Sequence, residues 1–454
     1  MTQARLPLWF LVANWAIVFL AFVLGVTLGR RTPLPDPQGQ ALQLVYEEIE
    51  RSYVDRIDGA ELLDRAIGAM ARLDDYSRYV PKSEVAQFVE ETTGSYDGIG
   101  IVLHFADDGV FVRTPIEGGP GDRAGLEPGD RIVAVDGTRL DAMGKEERTR
   151  VAPERLRGVS GSKVTIAIVR GAEPEREFTI ERAALQKRSV KWTQWLDRDR
   201  GLAYSHLADF HVGVAKALQA DLDALRNEPD ARLQGLVLDL RFDLGGNLDE
   251  AIAIARMFVR DGNLVSIRRR DSEVVERFDA DATKCTFPDL PLVLLVNESS
   301  ASASEVLAGA LQDHGRARIV GEATYGKGVV NTIYEWKDLP FRLKLTTARY
   351  FTPKGRNLDR GRHRNGDTAR ATSDATSAQA SGGGVAPDRA APLDGAVEES
   401  VRSALADFMV AARHRKAMVA WTSKRSLRAP GILSPNEDPQ LTAALDELRK
   451  ATAR

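Results

Sequence analysis

Cysteine is almost missing from this sequence. The 454 residues hold one, Cys285, so no intramolecular disulfide forms and the fold must rest on packing. Cys285 sits in DATKCTFPDL, a proline-flanked stretch with no helix start and no neighbouring base, and reads as an incidental thiol. Histidine is scarce as well. Its six residues are scattered, with no HExxH and no CxxC, which argues against zinc chemistry. An excess of one charge is also lacking. The net charge of −3 gives no electrostatic footing for nucleic acid and no strong steering field. No internal repeat is visible, and the phosphate-loop pattern GxxxxGK[ST] is absent.

What is there is ordinary globular material, 43% hydrophobic and 28% charged. At roughly 100–200 residues per domain, the length predicts two to four domains. One run is far from ordinary. From Leu6 to Leu28 the chain carries no charge for 23 residues. That is enough to cross a hydrocarbon core of roughly 30 Å. Arg5 precedes it, Arg30 and Arg31 follow, and VTLGRR is no small-x-small cleavage site, so residues 6–28 are expected to form an uncleaved anchor. Basic residues flank both ends, so charge alone does not orient it.

Pro33, Pro35 and Pro37 make a stiff linker. Leu42, Val45, Tyr46, Ile49 and Tyr53, then Leu62, Leu63, Ile67, Met70 and Leu73, recur at helical spacing. Residues 40–94 are therefore expected to form a small helical segment. YDGIGIVL, GVFVRTPI, DRIVAVDG and KVTIAIVR are short β-like runs between Gly and Pro turns, which predicts a β-rich module over 95–182. From about 190 the pattern becomes α/β. LQGLVLDLR and LPLVLLVN read as buried strands, and LDEAIAIARMFV and ASEVLAGALQD as the helices after them. A sheet covered by helices follows, with its site at the strand C-terminal ends. Residues 360–384 are rich in Ser, Thr, Ala, Gly and Arg and read as a solvated insert. Amphipathic helical order returns over 385–454.

Three segments can carry chemistry. In VNESSASASE an apolar strand ends at Val296 and a helix begins a few residues on. A serine at that turn lies beside free helix N–H groups, which suit a developing oxyanion. Ser302 with Glu305 also fits S-x-x-E, a capping box that by itself accounts for a serine. Ser299, Ser300, Ser302 and Ser304 all compete, and spacing alone does not separate them. In GEATYGKGVV, Lys327 lies between Gly326 and Gly328. An amine acts as a base only when neutral, so its pKa must fall well below the usual value of about 10.4 through burial. A solvated turn lysine is the plainer reading. In DLRFDLGGNLDEAI, Gly245 and Gly246 sit between strand and helix, either as an oxyanion donor or as a tight turn. In the β-rich module, Gly98, Ile99, Gly100 and Ile101 offer successive N–H groups before an edge-type strand. Such a loop takes a terminal carboxylate while the peptide adds as a strand.

In this order, DDYSRYVP, GIGIVL, DRAGLEPGDRIVAVDG, LRGVSGSKVTIAIVR, DLRFDLGGNLDEAI, SASASE, GEATYGKG and RYFTPKGR resemble the carboxy-terminal processing peptidases, or tail-specific proteases. The resemblance runs from about 40 to 359 and resumes at GGVAPD. It implies an α/β peptidase core over 190–359 and 385–454, with an inserted PDZ domain at 95–182, behind a helical segment and a membrane anchor. It implies Ser302 as nucleophile and Lys327 as general base, with Gly245 or Gly246 and the Ala303 N–H at the oxyanion. The family commonly has a glutamine four residues after the lysine, where this chain has Asn331. It usually has Asn-Pro before the glycines, where this chain has Asp243 and Leu244. The implied activity is cleavage of proteins near C-termini that the PDZ domain binds, on the periplasmic side of the cytoplasmic membrane, with no cofactor. A homo-oligomer or an activating partner is left open. The alternatives are an inactive PDZ adaptor of the same fold, or a Ser–His–Asp protease using His206, His211 or His314.

Overall fold

The structure is a computed structural model that describes residues 37–270, 274–361, 383–407, 409–428 and 430–453. The expected anchor at 6–28 lies outside the described residues, as does the 360–384 insert apart from 360, 361, 383 and 384. Among the described residues no helix is long and apolar enough to cross a membrane. The chain divides into two compact units, 1–70 and 71–454. In the first, the apolar spacing read above forms α1 (Pro37–Ser52) and α2 (Gly59–Met70), with Tyr46 Oη donating to the Gly59 carbonyl at 3.0 Å.

The second unit begins with β1 (Arg78–Val80) and α3 (Val85–Thr93). A β-rich module follows. It contains β2 (Ser95–Gly98), β3 (Ile101–Ala106), β4 (Gly109–Pro115), α4 (Pro120–Arg123), β5 (Arg131–Val135), β6 (Thr138–Arg139), α5 (Lys145–Leu156), β7 (Lys163–Val169), β8 (Arg176–Glu181) and β9 (Ala183–Gln186). An antiparallel sheet runs β3-β4-β5-β7-β8 with β6 on β5, and β2 pairs with β9. Alternating residues of this sheet, Val110, Val112, Ile132, Val164, Ile166 and Ile168, close a core with Leu156 of α5. The Gly98–Ile101 loop joins β2 to β3 at its rim.

The α/β part is built on β10 (Val190–Asp197), β11 (Leu202–Leu207), α6 (Val214–Arg226), β12 (Gly235–Asp239), α7 (Leu248–Phe258), β13 (Asn263–Arg268), β14 (Val274–Asp279), β15 (Leu292–Val296), α8 (Ala303–Asp313), β16 (Arg318–Gly321), β17 (Val329–Glu335), β18 (Arg342–Phe351) and β19 (Arg389–Ala390). Helices α9 (Gly395–Ala406), α10 (Arg415–Lys424) and α11 (Pro439–Thr452) complete it. The main sheet is ordered β10-β11-β12-β15-β16-β19 and is parallel from β11 to β19. β12 and β15 are buried at every residue because helices cover both faces. Leu218, Ile254 and Leu307 of α6, α7 and α8 pack on one face, and Val401, Leu441 and Leu448 of α9 and α11 on the other. Leu236, Leu238 and Leu294 are 0% exposed, and burying each such side chain contributes about 1.5–3 kcal/mol.

A second sheet runs β1-β18-β13-β14 with β17 on β18. It joins the 74–80 segment to the strands that follow Lys327. The stretch after α9 then returns to the β-rich module. Val410, Met418 and Trp421 pack on Phe111 of β4, and Arg113 holds Asp407 through two hydrogen bonds.

Candidate active site

Two turns leave the main sheet side by side, at the C-terminal ends of β12 and β15. They are stitched together by hydrogen bonds that the chain spacing alone does not reveal. The Phe242 N–H donates to Oδ1 of Asn297 at 3.0 Å, and Ser300 Oγ donates to the Leu240 carbonyl at 2.8 Å. The Ala301 N–H and Ser304 Oγ both donate to the Asp243 carbonyl, at 2.9 and 3.1 Å. This stitching sets two of the competing serines apart from Ser299 and Ser302. Ser300 and Ser304 are fully buried, with hydroxyls already committed to the neighbouring turn. Ser302 is partly exposed, at the N-cap of α8, with φ 57° and ψ −114°. Positive φ at a residue with a side chain costs roughly 1–3 kcal/mol and persists only where the surroundings enforce it.

What enforces it includes Glu305. The glutamate's half of the capping box is in place, since the Ser302 N–H donates to Oε2 at 2.8 Å. That same Oε2 also accepts the Lys327 N–H at 2.8 Å. Oε1 accepts the Gly326 N–H at 2.6 Å and Thr324 Oγ1 at 2.5 Å. Burial pushes the Glu305 carboxyl above its usual range, while these four donors oppose the shift. One buried carboxylate oxygen thus holds the main-chain nitrogens of Ser302 and Lys327 together. Sequence reading assigned Glu305 only to capping, because its other partners lie about twenty residues on.

Burial holds the Lys327 amine below its ordinary pKa, and the charge of Glu305 partly counteracts this. Lys327 Nζ lies 5.3 Å from the Tyr76 ring centroid, a face that β1 brings here by pairing with β18. The glycines on either side serve close approach. A Cβ on Gly328 would fall 2.0 Å from the Asp359 nitrogen, and one on Gly326 would meet Arg360 at 2.7 Å. The chain at 358–360 therefore packs directly on the lysine turn, with the Arg360 N–H donating to the Gly326 carbonyl.

The remaining expected residues divide. Among the described residues, no partner engages the N–H of Ala303 or of Gly246. The Gly245 N–H is turned back to Oδ1 of Asp243 at 2.8 Å. Gly245 has φ 94°, and a Cβ there would lie 2.8 Å from Ser302 Cβ, so only glycine fits against the serine turn. Asn331 donates to Thr346 Oγ1 at 3.0 Å, and no hydrogen bond joins it to Lys327 among the described residues. Gly98, Ile99, Gly100 and Ile101 lie away in the β-rich module. There the Ile99 and Gly100 carbonyls accept from Gly121 and Ile116, and Ile101 pairs with Pro115. Among the described residues none of the three candidate histidines is hydrogen-bonded to Ser302. His206 is 2% exposed with its pKa driven down to about 4 by burial, His211 pairs with Asp209, and His314 bonds the Asn263 carbonyl. Cys285 lies beside the Met257 carbonyl, remote from these turns, with its thiol pKa raised by burial.

Comparison with known proteins finds two family models and several relatives that match this chain. A family model described as Peptidase family S41 matches residues 201–363, and one described as a PDZ domain matches 111–170. The chain is 35% identical over 317 residues to the carboxy-terminal-processing protease of Bartonella bacilliformis, covering 69% of this chain and 71% of that one. It is 30% identical over 362 residues to the carboxy-terminal processing protease CtpA of Bacillus subtilis, covering 78% and 75%. Among solved structures, the photosystem II D1 C-terminal processing protease aligns at 28% identity over 79% of this chain and 94% of that chain, with a TM-score of 0.43.

Proposed function

This chain belongs to the carboxy-terminal processing serine peptidases of family S41, and from that premise we propose that it cuts proteins near their C-termini with Ser302 as nucleophile and Lys327 as general base. The observation that carries the pairing is the single Glu305 oxygen bonded to both main-chain nitrogens. Neutral Lys327 takes the Ser302 proton, and Ser302 Oγ attacks the scissile carbonyl. The resulting oxyanion lies at the N-terminus of α8, against the N–H groups of Ala303 and Gly246. Collapse expels the amine, which takes its proton from Lys327, and water then releases the acyl group by the reverse path. Tyr76 shields the amine from water and Asn331 orients the lysine wall through Thr346.

The reading extends to the rest of the chain. The Gly98–Ile101 loop takes the substrate's C-terminal carboxylate while the peptide lies along β3. The domain limits are those read from the sequence, at 40–94, 95–182, 190–359 and 385–454. Residues 6–28 anchor the protein in the cytoplasmic membrane, with the catalytic part on the periplasmic side. A fluorophosphonate probe tests the nucleophile directly. It should label the wild type and spare Ser302→Ala; labelling of both at equal rate would refute the assignment. Adding an amide to the substrate's C-terminus should raise KM if the loop reads a carboxylate, and an unchanged KM would refute that role. Carbonate washing should leave the full chain in membranes, and release by carbonate would refute the anchor.

A further inference from the structure

The proposed mechanism leaves one buried acid without a task. Asp243 is 0% exposed and sits in the turn between β12 and α7, behind the glycine pair. Its Oδ1 accepts the Gly245 N–H at 2.8 Å, and its carbonyl accepts from Ala301 and Ser304 on the serine turn. Its Oδ2 is buried and has no hydrogen-bond partner among the described residues. No cation faces it. From the 208–211 turn the nearest charge is the carboxylate of Asp209, itself held by His211 and Ser189. From α8 comes the uncharged Ser304, and Arg241 in the same turn is committed to Asp239 and Asp438.

We propose that Asp243 is a positioning residue that works as the uncharged acid, fixing Gly245 so that the Gly246 N–H stays aimed at the oxyanion beside Ser302. The inference rests on the Ser302–Lys327 reading and deepens it. An ionised Asp243 would place an unpaired negative charge behind the atom that itself becomes negative in the transition state, so the active form must carry a proton there. Burial, reinforced by Asp209, pushes the carboxyl well above the usual range, which favours the protonated form. The proton of Oδ2–H must stay in place as pH rises. Activity therefore has two limbs: it rises as Lys327 loses its proton and falls as Asp243 loses its own.

The test is the pH profile of kcat on an unstructured casein-type protein for the wild type, Asp243→Asn and Asp243→Ala. Asparagine keeps the acceptor for Gly245 but cannot ionise. It should lower kcat at neutral pH by less than about tenfold and abolish the alkaline limb, leaving the acid limb in place. Alanine frees the Gly245 N–H and should cost about 10²-fold in kcat with little change in KM, on the scale of losing one oxyanion donor. An Asp243→Asn profile with the wild-type alkaline limb would overturn the proposal, as would wild-type kcat in Asp243→Ala. Ser302→Ala run in parallel keeps the two levels apart. Full activity in that variant would remove the underlying reading, whereas loss there with an unmoved alkaline limb in Asp243→Asn would refute the role of Asp243 alone.

Discussion

At the scale of single residues, the site is a set of groups held in states that water would not allow. Lys327 is kept toward neutrality by burial, so kcat should rise with pH through its lowered pKa. Lys327→Arg, which cannot lose its proton, should be inactive across the whole range. A measurable rate with the same acid limb in that variant would exclude Lys327 as base. Asp243 has the opposite shift, and its sign can be worked out for stability. Its folded pKa lies above the unfolded one, so the native state binds the extra proton. The wild type then loses stability as pH rises past the unfolded carboxyl range. Asp243→Asn should be more stable than the wild type above the unfolded carboxyl range, with a gap that widens with rising pH by at most about 1.4 kcal/mol per pH unit. Denaturant midpoints measure this, and a pH-independent gap would contradict it. Neither Ser302 nor Lys327 stood out in the sequence on local chemistry alone, and the order of the motifs in the family resemblance picked them. The wider role of Glu305 was not legible, since S-x-x-E is satisfied within one helix turn while Gly326 and Lys327 arrive from another segment.

At the scale of elements, strands with a helix layer on each face were readable and their lateral partners were not. LQGLVLDLR and LPLVLLVN are continuous apolar runs, as a doubly covered parallel strand must be. Nothing in the short stretch RYV foretold that β1 would pair with β18, more than 260 residues away, and bring Tyr76 to Lys327. The last helix carries no sequence motif, yet Asp438 at its N-cap accepts from the Leu441 N–H at 3.0 Å and pairs with the fully buried Arg241. Arg241 also binds Asp239 at the end of β12, so α11 is fastened to the strand that leads into the glycine turn. Asp438→Ala removes a cap and one of two counter-charges and should cost about 2–4 kcal/mol of stability. A loss below about 0.5 kcal/mol in urea denaturation would show the network to be dispensable.

At the scale of the whole molecule, the PDZ region and the α/β part are joined by more than chain connectivity. Trp421 of α10 lies 6.2 Å from Phe111 and 5.4 Å from His104, ring to ring, and a Cβ on Gly129 would fall 2.6 Å from it. His414 bonds the buried Asp122 at 2.7 Å, and Arg413 pairs with the same carboxylate. The sequence carried no sign of this docking, because amphipathic spacing tells which face is buried and not against what. Trp421→Ala should loosen it, raising hydrogen exchange in β3, β4 and α10 while β11, β12 and β15 keep their protection. Uniform loss across both sheets would mean a global effect instead. The central claim remains the Ser302–Lys327 pair on one carboxylate oxygen. Its most direct test is the turnover of an unfolded protein by wild type, Ser302→Ala, Lys327→Ala and His314→Ala under one set of conditions. The account predicts loss of up to about 10⁶-fold in the first two variants and activity retained in the third. Activity in Lys327→Ala with loss in His314→Ala would contradict it.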